Sequence, residues 1–256
     1  MQSVLGPSAI LRTASLYASL MIVSLVVLVT ILVLSIPAAI IFIPLAVITG
    51  NVWPLYRAVC FIVRAAFRAG GIHVSVQGLE HIPAGHACII MANHISNLDP
   101  PVLISFIPGR TVAFAKRSVF KLPVFGYCLK LAEFIPTDRD GSVEAAQQSV
   151  ALAGSVLARG IHITTFVEGR RSSDGRLLPF KNGPFYLAKE SGAPCIPVSI
   201  YGSEGIIPYG SLRIHPGTMH IVFHAPLEPA DYATRDELSE AMRAAIASAL
   251  PDWMRN

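Results

Sequence analysis

From Gly71 onward, short apolar runs alternate with stretches whose apolar positions recur at helical spacing, whereas a single long apolar run dominates the chain before it. Six of the short runs are rich in β-branched residues and bounded by Gly or Pro, which predicts strands at 72–76, 87–92, 111–115, 161–167, 195–201 and 219–224. Helices are predicted at 101–106, 142–159, 184–191 and 235–250. Alternation of this kind predicts an α/β domain with a mixed, largely parallel sheet flanked by helices. No internal repeat, low-complexity tract or interdomain linker interrupts it.

The N-terminal run is of a different kind. No charged side chain lies between Arg12 and Arg57, and residues 16–48 are almost wholly apolar. A membrane span needs roughly 20 apolar residues, so this stretch is long for one untilted helix and short for two crossings. Pro37 and Pro44 each remove a backbone donor and favour a kink or a turn. Two arrangements follow: a single span ending near Ile36 with an interfacial continuation, or a re-entrant helical hairpin. A cleaved leader is the alternative that the length disfavours, since its apolar region covers only about 7 to 15 residues.

After it, Arg57, Arg64 and Arg68 recur at spacings of seven and four, with Phe61 and Val63 read as lying off their stripe. That suits a helix in the headgroup layer, and equally the charged outer face of a packed helix. The chain therefore divides into a membrane segment (1–50), an amphipathic interfacial helix (51–70) and an α/β domain (71–256). Positive charge follows the apolar segment far more than it precedes it. The expected location is the cell inner membrane or another cytoplasm-facing membrane, with the α/β domain on the cytoplasmic side.

Composition agrees with a membrane. Charged residues make up 14% of the 256, against a usual share of about 25%. Cys60, Cys88, Cys128 and Cys195 are scattered, without zinc-ligand spacing, and read as core residues in a reducing compartment. The net charge of +4 is modest and the basic residues lack aromatic interleaving, so no nucleic-acid partner is expected. Anionic headgroups or phosphorylated substrates account for the charge more simply.

Two loops carry the candidate chemistry, each leaving the carboxyl end of a predicted strand, where α/β domains usually bind ligands. In Asn93-His94-Ile95-Ser96-Asn97-Leu98-Asp99, an imidazole and a carboxylate stand five positions apart. His94 is a candidate general base and Asp99 its orienter, while Asn97 or Asp99 could instead cap the helix that Pro100 opens. In Glu168-Gly169-Arg170-Arg171-Ser172, paired guanidiniums, a hydroxyl and a glycine, with Lys181 downstream, form a candidate phosphate site. A solvated turn at Asp174-Gly175 is the alternative. Between the loops, segment 114–126 alternates basic and large apolar residues, as a surface facing both headgroups and acyl chains should.

These segments, in this order and spacing, resemble the glycerolipid acyltransferase family. The family pattern is Asn-His, then Asp after four residues, a segment ending in Asp-Arg, Phe-Pro-Glu-Gly-Thr-Arg-Ser, and a strand containing Val-Pro-Val. The chain matches at His94 and Asp99, at Asp138-Arg139, at Phe166 to Ser172 and at Ile196-Pro197-Val198, over roughly residues 70–205. It departs at Val167, where proline is usual, and at Arg170, where threonine is.

The resemblance implies O-acyl transfer from acyl-CoA or acyl-carrier protein to the free hydroxyl of 1-acylglycerol-3-phosphate, giving phosphatidic acid for phospholipid biosynthesis. It implies His94 and Asp99 as catalytic residues, and Glu168, Gly169, Arg171 and Ser172 as acceptor-binding residues with Arg170 as a local variation. Arg139 and Lys181 are further candidates for headgroup contact. Membrane lipids, the lysophospholipid and the thioester donor are the expected partners, with no metal and no resident cofactor. Because of Arg170, another lysophospholipid or a lyso-aminolipid remains an alternative acceptor. Two other classes stand beside these: a non-catalytic lipid-binding protein, which has no need of the His94 and Asp99 pair, and a metal-dependent phosphohydrolase. For the latter, His220 and His224 share a strand face without a matching carboxylate, and His73, His81, His86, His162 and His215 read as surface or edge residues.

Overall fold

The computed structural model describes residues 7–137 and 143–255. Its centre is a seven-stranded sheet: β1 (Ile72–Gln77), β2 (Ile89–Ala92), β3 (Thr111–Lys116), β4 (Ile135–Thr137), β5 (His162–Phe166), β6 (Cys195–Tyr201) and β7 (Gly217–Phe223), in the order β1-β7-β6-β2-β5-β3-β4. Every pairing is parallel except β6 with β7. The strands from β6 to β4 therefore end at one edge, and β1 and β7 begin there.

β2 lies at the middle of the sheet, and all four of its residues are fully buried. Its side chains alternate between two cores, as the two-residue period of a strand requires. Ile89 and Met91 join Ile163, Val156, Leu187, Met242 and Ile246 beneath α5 (Val143–Ala158), α6 (Asn182–Ser191) and α8 (Arg235–Ala249). Ile90 and Ala92 join Phe67, Val102, Leu103, Val198 and Met219 beneath α2 (Trp53–Ala69) and α3 (Asp99–Phe106). Fully burying each large apolar side chain contributes about 1.5 to 3 kcal/mol. The His94 loop thus hangs from a fully buried central strand.

The six predicted strands and four predicted helices are present, with ends shifted by a few residues. The short edge strand β4, α4 (Phe125–Leu131) and α7 (Ser203–Ile206) were not foreseen. β4 has three residues with Pro136 in the middle, which gives no run for an alternation to register, and its edge position tolerates the missing donor. His162 also departs from expectation. It is buried, with Nδ1 3.2 Å from both the Cys88 amide and its sulfur.

The N-terminal run is one continuous helix, α1 (Pro7–Thr49), which passes through Pro37 and Pro44. Neither an end near Ile36 nor a turn inside the run occurs. The reversal comes at 50–52, and α2 is the returning arm: Val27 of α1 packs so closely on Gly70 that a Cβ there would lie 2.4 Å from its methyl. α1 also meets the domain where Ser24 Oγ accepts the Ile214 amide at 2.9 Å. Leu20–Thr49 is long and apolar enough to cross a membrane, and its outer side is exposed, Ile40 at 69% and Ile48 at 83%. Such a helix suggests membrane association.

On α2 the buried side comprises Leu55, Tyr56, Cys60, Ile62, Ala66 and Phe67. Arg57, Phe61, Arg64 and Arg68 share the exposed side, with Phe61 60% exposed. Phe61 therefore lies on the arginine stripe rather than off it, because spacings of four, three and four stay on one helical face.

Candidate active site

The loop after β2 begins with an anchor. Asn93 crosses to β6, its amide nitrogen donating to Ile200 O at 2.8 Å and its oxygen accepting Ile200 N–H at 2.7 Å. The chain beyond it curls around a carboxylate. Asp99, fully buried, accepts His94 Nδ1–H at 2.9 Å and the backbone N–H groups of Ile95 and Ser96, each at 2.7 Å, all on Oδ2. Its Oδ1 accepts the Ser203 hydroxyl at 2.6 Å. Asp99 is thus the first residue of α3 but does not cap it, since the N-cap position is Leu98 and no side chain caps there.

A carboxylate only accepts, so its contact with Nδ1 places the ring proton on that nitrogen and leaves the lone pair on Nε2. The ring is clamped from another side by Phe166, centroids 4.2 Å apart, and the side chain keeps 12% of its surface exposed. The result is a buried orienter, a fixed imidazole and one nitrogen available for proton transfer.

The loop after β5 is tied to the first by its backbone. Glu168, 1% exposed, accepts the His94 amide on Oε2 at 2.8 Å and the Leu178 amide on Oε1 at 2.7 Å. The Ser172 amide donates to His94 O at 2.8 Å. With each oxygen so engaged, Glu168 braces the two loops. Burial pushes its carboxyl up to about 7, against the opposing pull of the two amide hydrogen bonds.

The remaining predicted residues divide. Ser172 is buried and its hydroxyl turns to Asp174 Oδ1 at 2.9 Å, again a loop-shaping contact. Gly169 follows Glu168 with φ of 68°. Arg170 is exposed, and Arg171 is half-buried with its guanidinium 4.9 Å from the Tyr209 ring centroid. Lys181 is exposed beside Gly169, while its amide holds Val167 O at 2.7 Å. Arg139 lies outside the described residues. The sequence reading missed Ser203, Asn93, Phe166 as the ring clamp and Tyr209. Ser203 and Tyr209 follow a third strand, β6, and no spacing in the sequence links them to Asp99 or Arg171. Among the described residues, no three His, Cys, Asp or Glu side chains converge as metal ligands.

Comparison with known proteins agrees with this arrangement. The family model described as Acyltransferase matches residues 73–201. The chain is similar to 1-acyl-sn-glycerol-3-phosphate acyltransferase BAT2, chloroplastic, of Brassica napus, 32% identical over 65% of this chain and 50% of that protein. It is 31% identical to the 1-acyl-sn-glycerol-3-phosphate acyltransferase of Limnanthes alba over 68% of this chain and 60% of the relative, and 30% identical to the alpha form of Homo sapiens over 66% and 59%. The chain thus spans 50% to 60% of the length of these relatives. In fold it is similar to the 1-acyl-sn-glycerophosphate (LPA) acyltransferase PlsC of Thermotoga maritima, with a TM-score of 0.74 at 23% identity, over 89% of this chain and 94% of that one. The chain belongs to the acyltransferase family.

Proposed function

We propose that the chain is a membrane-bound O-acyltransferase that moves a fatty acyl group from a thioester, acyl-CoA or acyl-carrier protein, to the free hydroxyl of 1-acylglycerol-3-phosphate. The observation that carries this reading is the 2.9 Å contact between His94 Nδ1 and a fully buried Asp99 carboxylate. In the proposed step, His94 Nε2 removes the acceptor's hydroxyl proton as its oxygen bonds to the thioester carbonyl carbon. Asp99 stabilises the imidazolium that forms. The C–S bond then breaks and the leaving thiolate takes the proton from His94. The acceptor is itself the nucleophile, so no acyl-enzyme is needed, and the two side chains complete the proton transfer without a metal or resident cofactor.

The names of the relatives support the lysophosphatidic acceptor. Arg171, with Arg170 and Lys181 at the exposed mouth of the loop, supplies charge for its phosphate. Arg139 is proposed as a further headgroup contact on the strength of its motif position alone. The apolar α1 supports membrane residence, and the excess of arginine after it supports a domain on the cytoplasmic side. The decisive test incubates membranes containing the chain with labelled acyl-CoA or acyl-carrier protein against a panel of lysolipids. Phosphatidic acid as the main product sustains the reading. Acylation of another lysolipid in its place refutes the acceptor assignment, and Arg170 is the feature that makes this second acceptor worth including.

A further inference from the structure

The segment between β3 and β4 takes no part in the proton transfer, yet its surface is unusual. Beyond α2, the described residues include nine strongly exposed large apolar side chains, and four of them are Leu122 (52%), Val124 (59%), Phe125 (55%) and Tyr127 (46%). Scattered singly, such residues need no explanation, but a cluster does.

The backbone presents this cluster deliberately. Val124 has φ 58° and ψ −60°, and the Phe125 amide donates to Pro123 O at 2.5 Å. That is the rare, strained form of the γ-turn, costly for a β-branched residue and retained mainly where function uses it. Its base is rigid. Gly126 packs on the Phe120 backbone so closely that a Cβ would lie 2.3 Å from Phe120 O. The apex at 122–125 is therefore a preformed wedge, with Lys121 exposed at its foot and Lys130 at its far end.

Its place in the fold says what covers it. The segment leaves the carboxyl end of β3, at the edge where the loops of His94 and Glu168 emerge. The segment wraps the β4 margin of the sheet, where Arg117, Phe120, Lys121 and Lys130 line one cavity with Leu152 and Arg159 of α5. Near the His94 edge α1 meets Ile214, and Leu212 there is 90% exposed.

We propose that segment 117–131 is a second membrane contact, an apolar wedge that seats among the headgroups and upper acyl chains of an anionic bilayer and holds the His94 edge against it. The proposal rests on the membrane residence inferred above. An apolar tip with a basic foot, at the edge of the sheet that α1 also reaches, matches an interface-seated element better than a groove for a protein partner.

The test uses the full chain in vesicles of phosphatidylcholine and phosphatidylglycerol, some brominated near the top of the acyl chain, in a Trp53→Phe/Trp253→Phe background. Phe125→Trp should emit blue-shifted light and be quenched at least about twofold more than Glu190→Trp, which reports the end of α6 at the opposite edge. Leu122→Trp repeats the reading in case one variant fails to fold. Equal quenching of wedge and control overturns the proposal. So does protection of Phe125→Trp from an aqueous quencher by acyl-carrier protein without any bromolipid effect, which would make the wedge a protein-docking surface. Quenching is read whether or not the chain turns over any lysolipid, so a failure of the acyltransferase assignment remains separate from a failure of the wedge.

Discussion

The loops after β2 and β5 emerge side by side and differ in how their polar atoms are used. In the first, each carboxylate oxygen of Asp99 has a protein partner, Asn93 is fixed to β6 at both ends, and the His94 ring is held on two sides. The second has such an interior in Glu168 and Ser172, but its cations Arg170 and Lys181 are exposed and Arg171 is half-buried. Placement of a reacting proton needs a geometry that packing over-determines, whereas capture of a headgroup needs charge that stays accessible. On the proposed function, this difference matches chemistry in the first loop and acceptor binding in the outer half of the second. Glu168 couples them.

The largest expected effect breaks the first loop. His94→Ala should lower turnover by about 10²- to 10⁴-fold with little change in acceptor binding. Activity within tenfold of wild type, measured on purified protein, would remove His94 from the mechanism. Asp99→Asn keeps the shape but loses the acceptor-only carboxylate, so turnover should fall by about 10²- to 10³-fold. Its circular dichroism should stay native, whereas Asp99→Ala should also unfold more easily, because the amides of Ile95 and Ser96 lose their partner at about 1 to 3 kcal/mol each.

Removing the coupling should have an intermediate effect with a distinctive pH signature. Glu168 is raised from 4.5 to about 7 by burial, so the fold favours its protonated form. The associated stability is fully present below about 4.5 and is lost as pH rises through about 7, a change on the order of a few kcal/mol. Wild-type thermal midpoints should therefore carry this decline between pH 4.5 and about 7, and Glu168→Gln should flatten it. An unchanged slope in Glu168→Gln would show that this carboxyl does not titrate there.

The smallest effects belong to the exposed cations. Arg171→Ala should raise the KM for a phosphate-bearing acceptor about tenfold with kcat nearly kept, the pattern of lost uniform binding. Arg170→Thr, which restores the family's usual residue, should change KM by only a few-fold and shift preference among headgroups. A fall in kcat instead of a rise in KM for Arg171→Ala would place this guanidinium in the first loop's work and erase the proposed division.

Much of this was legible before the fold was known. The strands at 195–201 and 72–77 are dense in β-branched residues bounded by turn formers, and His94 and Asp99 fall close enough in sequence for a tight turn to join them. Other features were not. β4 is too short to show a period, and the path of α1 through two prolines runs against the local expectation. Helical hydrogen bonding is the preferred way to satisfy backbone groups in an apolar setting, and it outweighs the donors that Pro37 and Pro44 remove. The burial of Glu168 was not legible, because a carboxylate followed by glycine and two arginines carries no local sign of it.

By itself the sequence determined the α/β architecture, the long apolar N-terminal segment and the pairing of imidazole with carboxylate, because periodicity, hydropathy and short-range spacing are properties of neighbours along the chain. The tertiary structure alone decided that Ser203 completes the hydrogen bonding of Asp99, that Glu168 braces two loops, and that the 122–125 apex emerges at the edge α1 reaches. The first two relations join residues 104 and 74 positions apart, and only the sheet order brings such distant segments together.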